Sequence, residues 1–371
     1  MRRPGLARGA RPSRSRRAFR SRGALPLSAR VIPRMDRPVT VFGAAGHTGR
    51  FVVSELCRRG RMPILSGRDS EKLGAVGHAC PVSVIRVASI EEPASLDRAL
   101  ANVAAVVNCA GPFLDTAEAV IDAALRAGIP YLDVTAEAAV AAATFERFAD
   151  RARAAGIPVV PAMAFFGGLG DLLATVAMDD WQAADEICIA VALDRWNPTR
   201  GTRLTGERRG GRRHVFTNGR LEVRSEPPPI GQWDFPAPFG RQEVVGELST
   251  ADCVTISRHL RTPEVRAYMN LRPIADLRDP ATPGPTAVDE RGRSAQIFLV
   301  DVVVRRGSEA RRATARGQDI YAITAPLVVE ALERILDGRV KAVGAVAAGE
   351  AFDARDLLEA LASEGLSVRI D

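Results

Sequence analysis

At 371 residues, with 46% hydrophobic and 26% charged residues, the chain has material for two domains and the balance of a globular protein rather than a disordered or fibrous one. Its net charge of +7 is misleading, because the first 34 residues hold 11 arginines and no acid, leaving 40 basic against 44 acidic groups in the rest. The positive excess belongs to the amino-terminal segment, so the body has no net charge suited to nucleic acid and no such partner is expected.

Residues 1–35 lack apolar periodicity and are expected to be disordered. Three readings of this Arg-rich segment stay open. Only two of the 51 basic residues are lysine (Lys72 and Lys341), which fits a GC-biased gene and an over-extended reading frame with Met35 as the start. "SRRAF" at 15–19 has the look of a twin-arginine export signal, although only "GALPL" follows as its apolar stretch, and an acid-free, Arg- and Ser-rich segment also suits an organellar transit peptide.

From Pro38 to about Met178 strands and helices alternate, the pattern of a parallel sheet covered on both faces. Strands are predicted at 39–42, 63–65, 82–87, 104–110, 131–134 and 158–163, and helices at 48–59, 93–101, 116–127 and 140–155. Gly60, Gly128 and Gly156 fall at helix ends, where a left-handed cap is wanted. Val159 to Met178 is twenty residues long with one charge, Asp171, but its central "GGLGD" would break the backbone in lipid. A buried strand and a buried helix are expected there, and no membrane partner.

From about 185 to 316 the segments are strand-like and the turns rich in Gly and Pro, with an Asn218-Gly219 hairpin signal. Helices return at 320–338, where Pro326 should start or kink the helix, and at 354–365. The expected fold is α/β: a doubly wound parallel Rossmann sheet (36–182 plus 320–371) with an inserted α+β second domain at 183–319. The five cysteines are scattered and form no C-x-x-C pair, which argues against a disulfide framework or a metal site and for a reducing, cytoplasmic location.

"TVFGAAGHTGR" at 40–50 carries the chemistry. Gly43 permits a tight turn after the first strand, Gly46 lets backbone approach a pyrophosphate, and Gly49 lets the next helix pack on the sheet. With Ala44, Ala45, His47 and Thr48 they form a loop feeding a helix N-terminus, whose free N–H groups and dipole attract phosphate. Ser66, Gly67 and Arg68 stand at the end of the second strand, where a dinucleotide ribose would lie. Arg68 offers a planar fork to a 2′-phosphate, while Asp69 reads as a helix cap, so NADP (NADPH) is favoured over NAD.

At "VVNCAGPF" (106–113), "YLDVTAE" (131–137) and "AGIPVVPAMAFFGGLGDLLA" (155–174) the chain resembles the saccharopine dehydrogenase-like family, and the likeness runs over about residues 38–371. The resemblance implies a Rossmann domain, an inserted domain shaping the substrate site, nicotinamide-dependent redox chemistry and a homodimer through the second domain. It implies that Cys109, Ala110, Gly111 and Pro112 lie along the nicotinamide ribose, and that Asp133 and Glu137 form an acidic pair near the cleft. The turn "AFFGGLGD" departs from the G-x-D-Pro-like turn of the family, which leaves the placing of Asp171 open and suggests a changed substrate pocket.

Hydride transfer asks little of the protein beyond orientation and a dry pocket. Asp133, Glu137 and His259 are the candidates for proton transfer, each against a bland alternative: helix support for Glu137 and a structural role for His259. Cys109 reads as an apolar filler more readily than as a reactive thiol, and Asp171 as a helix cap. Arg195, Arg200, Arg203, Arg258 and Arg261 could grip a substrate carboxylate. The expected function is an NADPH-dependent oxidoreductase moving hydride to or from a C=N or C=C of a small metabolite or biosynthetic intermediate. The alternative is a non-catalytic NADP-binding sensor or scaffold.

Overall fold

The computed structural model describes residues 37–371, so the expectations placed on the Arg-rich segment lie outside it. The chain first builds β1 (Val39–Phe42), α1 (His47–Arg58), β2 (Pro63–Gly67), α2 (Ser70–Ala79), β3 (Val84–Val87), α3 (Pro93–Ala99), β4 (Ala105–Asn108), α4 (Phe113–Ala127), β5 (Tyr131–Asp133), α5 (Ala138–Ala154) and β6 (Pro158–Val160). A π-helical turn (Phe165–Leu169) leads into α6 (Gly170–Met178). The second part holds β7 (Glu186–Leu193), α7 (Arg200–Arg209), β8 (Arg213–Thr217), β9 (Arg220–Arg224), β10 (Ile230–Asp234), β11 (Arg241–Val245), α8 (Asp252–His259), β12 (Val265–Asn270), α9 (Leu271–Arg278), β13 (Ile297–Arg306) and β14 (Glu309–Gln318). α10 (Thr324–Leu336), β15 (Gly344–Ala345), α11 (Ala348–Ala351), α12 (Ala354–Ala360) and β16 (Ser367–Ile370) complete it.

The first sheet has seven parallel strands in the order β15-β6-β5-β4-β1-β2-β3. β1 and β4 at its centre are buried along their whole length, which is why they read as nearly continuous apolar runs, broken only by Thr40 and Asn108, rather than as alternations. Each fully buried Val there contributes about 1.5–3 kcal/mol of transfer free energy. The doubly wound Rossmann reading is therefore correct, and the strand order reverses between β1 and β4, the place where such sheets open a crevice. Gly60, Gly128 and Gly156 all take positive φ after their helices, as their positions required. Pro326 is the third residue of α10, so that helix starts rather than kinks there.

The second sheet has nine strands: β10-β11-β12-β7-β13-β14-β16, with the β8–β9 hairpin attached through β12. β7 pairs parallel with β12 and antiparallel with β13. The two-residue turn at Asn218-Gly219 has φ of 51° and 72°, the double left-handed geometry that an Asn-Gly hairpin supplies.

Two sequence expectations need correction. Residues 320–371 were assigned wholly to the Rossmann part, but β16 pairs with β14 and extends the second sheet. Cys57 and Cys80, read as unpaired, form a disulfide with Cα atoms 6.6 Å apart. Cys57 lies in the last turn of α1 and Cys80 is the C-cap of α2, so the bond joins the two helix ends, a proximity that a separation of 23 residues does not reveal. Cys109, Cys188 and Cys253 are free and buried.

Candidate functional site

The loop after β1 is built almost entirely from backbone. Gly43, at φ +84°, lies so close to the β4 loop that a Cβ would come within 2.6 Å of the Ala110 nitrogen, and a Cβ on Gly49 would collide with the Gly43 carbonyl. Glycine is required at both places. The amides of Gly43 and Ala44 donate to the Ser66 carbonyl (2.8 and 3.2 Å), and Cys109 donates to Phe42 (2.7 Å). Backbone bonds thus knit the ends of β1, β2 and β4 into one rim, bringing Gly43 to Gly49, Ser66 to Arg68 and Cys109 to Pro112 together.

Gly46 is the N-cap of α1 and provides no side-chain cap. The first bond of the helical ladder is donated by Arg50 to the Gly46 carbonyl (3.0 Å), so the amides of His47, Thr48 and Gly49 stand ahead of it. An anion is the natural partner for such an end. Two buried polar atoms in this rim, Ser66 Oγ and His47 Nε2, have no hydrogen-bond partner among the described residues. A dinucleotide fits this rim: three helix-terminal amides for the pyrophosphate and orphaned side-chain atoms that a polar ligand would satisfy. Burial is the largest influence on His47 and keeps its pKa below the usual histidine value. Its ring meets Phe51 and Tyr321 edge-on, with centroids 5.3 and 5.2 Å away.

Asp69 is a helix cap, as its position suggested. Its carboxylate accepts from the Lys72 amide (3.1 Å) and pairs with the Lys72 ammonium, whereas Arg68 beside it is exposed at the end of β2.

The candidate acids serve backbone. Asp133 is fully buried at the end of β5: Oδ1 accepts from the amides of Thr135 (3.0 Å) and Ala162 (2.8 Å), and Oδ2 accepts from the Tyr131 hydroxyl (2.9 Å). Desolvation raises its pKa to about 6 despite those bonds. Glu137 does not support its own helix. Its carboxylate reaches back to α4 and accepts from the Phe113 amide (2.8 Å), beside Pro112, and burial raises its pKa.

His259 is elsewhere. Its Nε2 lies 2.6 Å from Oδ1 of Asp171, whose Oδ2 accepts from the Gly349 amide (2.8 Å), so this pair ties α6, α8 and α11 together. Burial depresses the imidazole pKa, but Asp171, helped by Glu350, wins and leaves it raised. Asp171 is therefore no helix cap. His259 bonds Asp171, whereas Asp133 bonds Tyr131 and the amides of Thr135 and Ala162 and Glu137 bonds the Phe113 amide, so no hydrogen bond among the described residues joins the three candidates. Burial, reinforced by Asp133, pushes the Cys109 thiol far up, which makes it the inert filler its strand-end position suggested. Among the arginines, Arg203 is spent on the carbonyls of Leu277, Asp279 and Thr282, and Arg258 lies over the Phe145 ring.

Sequence reasoning missed the polar network behind the rim. Asn108 donates to Tyr131 and Thr116 (3.2 and 3.3 Å), and its side-chain oxygen accepts from the Ala110 amide (3.0 Å). An Asn at the end of an otherwise apolar central strand was the available signal.

The fold is a Rossmann-type domain joined to a mixed β-sheet domain, and its rim has the geometry of a dinucleotide site. More specifically, residues 39–160 match the family described as "Saccharopine dehydrogenase NADP binding domain". A saccharopine dehydrogenase-like oxidoreductase of Bos taurus is 28% identical over 145 residues, covering 34% of this chain and 34% of that protein. The chain thus matches about a third of the length of the curated relatives. Apo saccharopine dehydrogenase (L-Glu forming) from Saccharomyces cerevisiae shares the fold with a TM-score of 0.64 at 13% identity, over 90% of this chain and all of that one.

These relatives correct one expectation. Matched proteins include a probable mitochondrial saccharopine dehydrogenase-like oxidoreductase of Arabidopsis thaliana (30% identical, 34% of this chain) and a lipid droplet localized protein of Caenorhabditis elegans (29%, 33% of this chain). The cytoplasmic location read from unpaired cysteines does not stand, and the Cys57–Cys80 bond removes its premise. Among the described residues no helix is long and apolar enough to cross a membrane.

Proposed function

We propose that the protein is an NADPH-dependent oxidoreductase that moves hydride to or from a C=N or C=C of a small metabolite or biosynthetic intermediate. The observation that carries this reading is the uncapped N-terminus of α1, with the amides of His47, Thr48 and Gly49 outside the helical ladder at the rim formed by β1, β2 and β4. Arg68 holds the 2′-phosphate, and the engagement of Asp69 by Lys72 removes the acid that would otherwise hold a ribose 2′-hydroxyl, which supports NADPH over NADH. NADPH supplies the hydride when bound. Cys109 to Pro112 line the nicotinamide end, and Asp133 and Glu137 act as positioning residues by fixing the ends of β5 and β6 and the start of α4. A protonated imine suits such a cleft, since it needs no strong acid from the protein.

The test is a fluorescence titration with NADPH followed by cofactor oxidation against a panel of cyclic imines and enoyl thioesters. Saturable binding with turnover on one class supports the reading. A second reading, a non-catalytic NADP sensor, draws on the same hydrogen bonds: Asp133, Glu137 and His259 are all engaged by other protein groups. Stoichiometric binding with no oxidation on any acceptor class would favour it.

A further inference from the structure

α7 is a ten-residue helix, yet none of its described side chains is buried. Helices in folded domains are normally held by an apolar face, so something other than core packing places this one. Its N-terminal half is moored by polar contacts. Thr199 caps the helix by accepting from the Thr202 amide (3.1 Å), and the Thr202 hydroxyl lies 2.9 Å from that of Tyr321. Tyr321 Oη also accepts from Trp196 Nε1 (2.9 Å) and the Thr199 amide (3.3 Å), and Arg203 spans three carbonyls at the end of α9 and beyond. The C-terminal half has one tether among the described contacts, an ion pair between Arg208 and Asp115 in the first turn of α4, with the two side chains 49% and 42% exposed. Directly after the helix, Gly210 and Gly211 both take positive φ, and a Cβ on either would meet nothing within 4 Å.

α7 is linked at its two ends to two of the three segments of the rim, the glycine loop through Tyr321 and the turn after Pro112 through Arg208. Tyr321, at the moored end, packs against His47 of the glycine loop. Asp115, at the tethered end, lies in the turn that follows Pro112, and Glu137, which holds the Phe113 amide there, feels the charge of Arg208. A polar helix lying from one to the other, fixed at one end and held at the other by a half-exposed ion pair, has the build of a cover rather than of a scaffold element.

We propose that α7 is a lid over the dinucleotide cleft, moored at Tyr321, latched by Arg208 to Asp115, and free to swing on Gly210 and Gly211 when the latch opens. This rests on the reading of the rim as a dinucleotide site. The lid restrains release of the bound dinucleotide without contributing to its chemistry, and the latch is weak enough to open on every binding cycle.

The test is stopped-flow NADPH fluorescence on the full chain, with Arg208→Ala, Asp115→Asn, the double variant, and the swap Arg208→Asp with Asp115→Arg. Each single variant should release NADPH about two- to fivefold faster, the scale of a half-exposed ion pair. The double variant should be no faster than the singles, and the swap should return towards the wild-type rate. Amides of 200–211 should exchange more slowly once NADPH is bound. If wild-type protein gives no NADPH signal, the dinucleotide reading falls and the lid with it. If NADPH binds but release is the same in all variants, or the single effects simply add, the lid alone is overturned.

Discussion

Both oxygens of Asp133 are occupied, one by two amides and the other by the Tyr131 hydroxyl, yet burial still holds its pKa at about 6 against an ordinary 3.8. The folded state therefore binds a proton more tightly than the unfolded chain, and stability conferred at low pH is lost as pH rises from about 4 through about 6. Asp252, buried under Thr250 and the Gly167 amide, is raised to about 6 for the same reason and acts in the same direction. Asn at 133 keeps an oxygen for the amides of Thr135 and Ala162 and can donate to Tyr131 through its nitrogen. Asp133→Asn should thus fold, and urea denaturation should show a shallower decline in stability from pH 4 to 6 than wild type; an unchanged slope would mean that Asp133 ionises normally. Arg68 tests the opposite rim. Arg68→Glu should weaken NADPH about ten- to hundredfold, the worth of a lost charge-assisted pair, and NADH far less. Equal losses by calorimetric titration would remove Arg68 from the 2′-phosphate.

Among the elements, those whose residues carry their own instructions were legible. β1 and β7 emerge where apolar runs end at turn residues, the hairpin turns at Asn218-Gly219, and Asp69 caps α2 because a short acid one residue ahead of a helix can do little else. The shape of the glycine loop was legible for the same reason: its close approach to β4 is a backbone property, and glycine is the residue that permits it. What stayed hidden depends on distant partners. β14 reads "EARRATARGQ", with only Ala313 and Ala315 buried, and becomes a strand because ten residues of β13 pair along it. Glu137 caps α4 rather than α5, and Asp171 reaches α8 and α11, because tertiary placement chose their partners. The Cys57–Cys80 bond belongs to the same class and has a measurable consequence. Closing a loop of 23 residues contributes about 3 kcal/mol by loss of unfolded-chain entropy. Cys57→Ser should lower the melting temperature under non-reducing conditions, and dithiothreitol should bring the wild type down to the same value while leaving the variant unmoved. A wild type indifferent to reductant would show that the bond does not hold α1 to α2 in solution.

At the scale of the whole molecule, the two sheets do not have separate interiors. The main apolar core runs from Val41 and Val107 in the first sheet through Leu172 and Leu332 to Ile189 and Val302 in the second, and a small cluster around Phe235, Val244 and Leu299 lies apart from it on the second sheet. α10 follows β14 of the second sheet in the chain but packs against α1 of the first, and Arg59, directly after α1, pairs with Glu330 and with Glu333 (2.7 Å) on it. A domain whose interior is continuous with its neighbour's should not unfold alone, so calorimetry should give one transition. Dinucleotide bound at the β1 rim then stabilises the second sheet as much as the first. At NADPH a hundredfold above its dissociation constant the gain is about 2.7 kcal/mol, which for a chain of this size moves the transition up by about 3–4 °C. Tryptophan fluorescence gives an independent view, because Trp196, Trp233 and Trp181 all lie beyond the first sheet and report on the second part of the chain. Their transition should move with NADPH by the same amount as the heat signal. Two separate transitions, with the tryptophan one unmoved by cofactor, would show that the shared core does not couple the sheets and that the lid helix reaches the cleft from an independently folding partner.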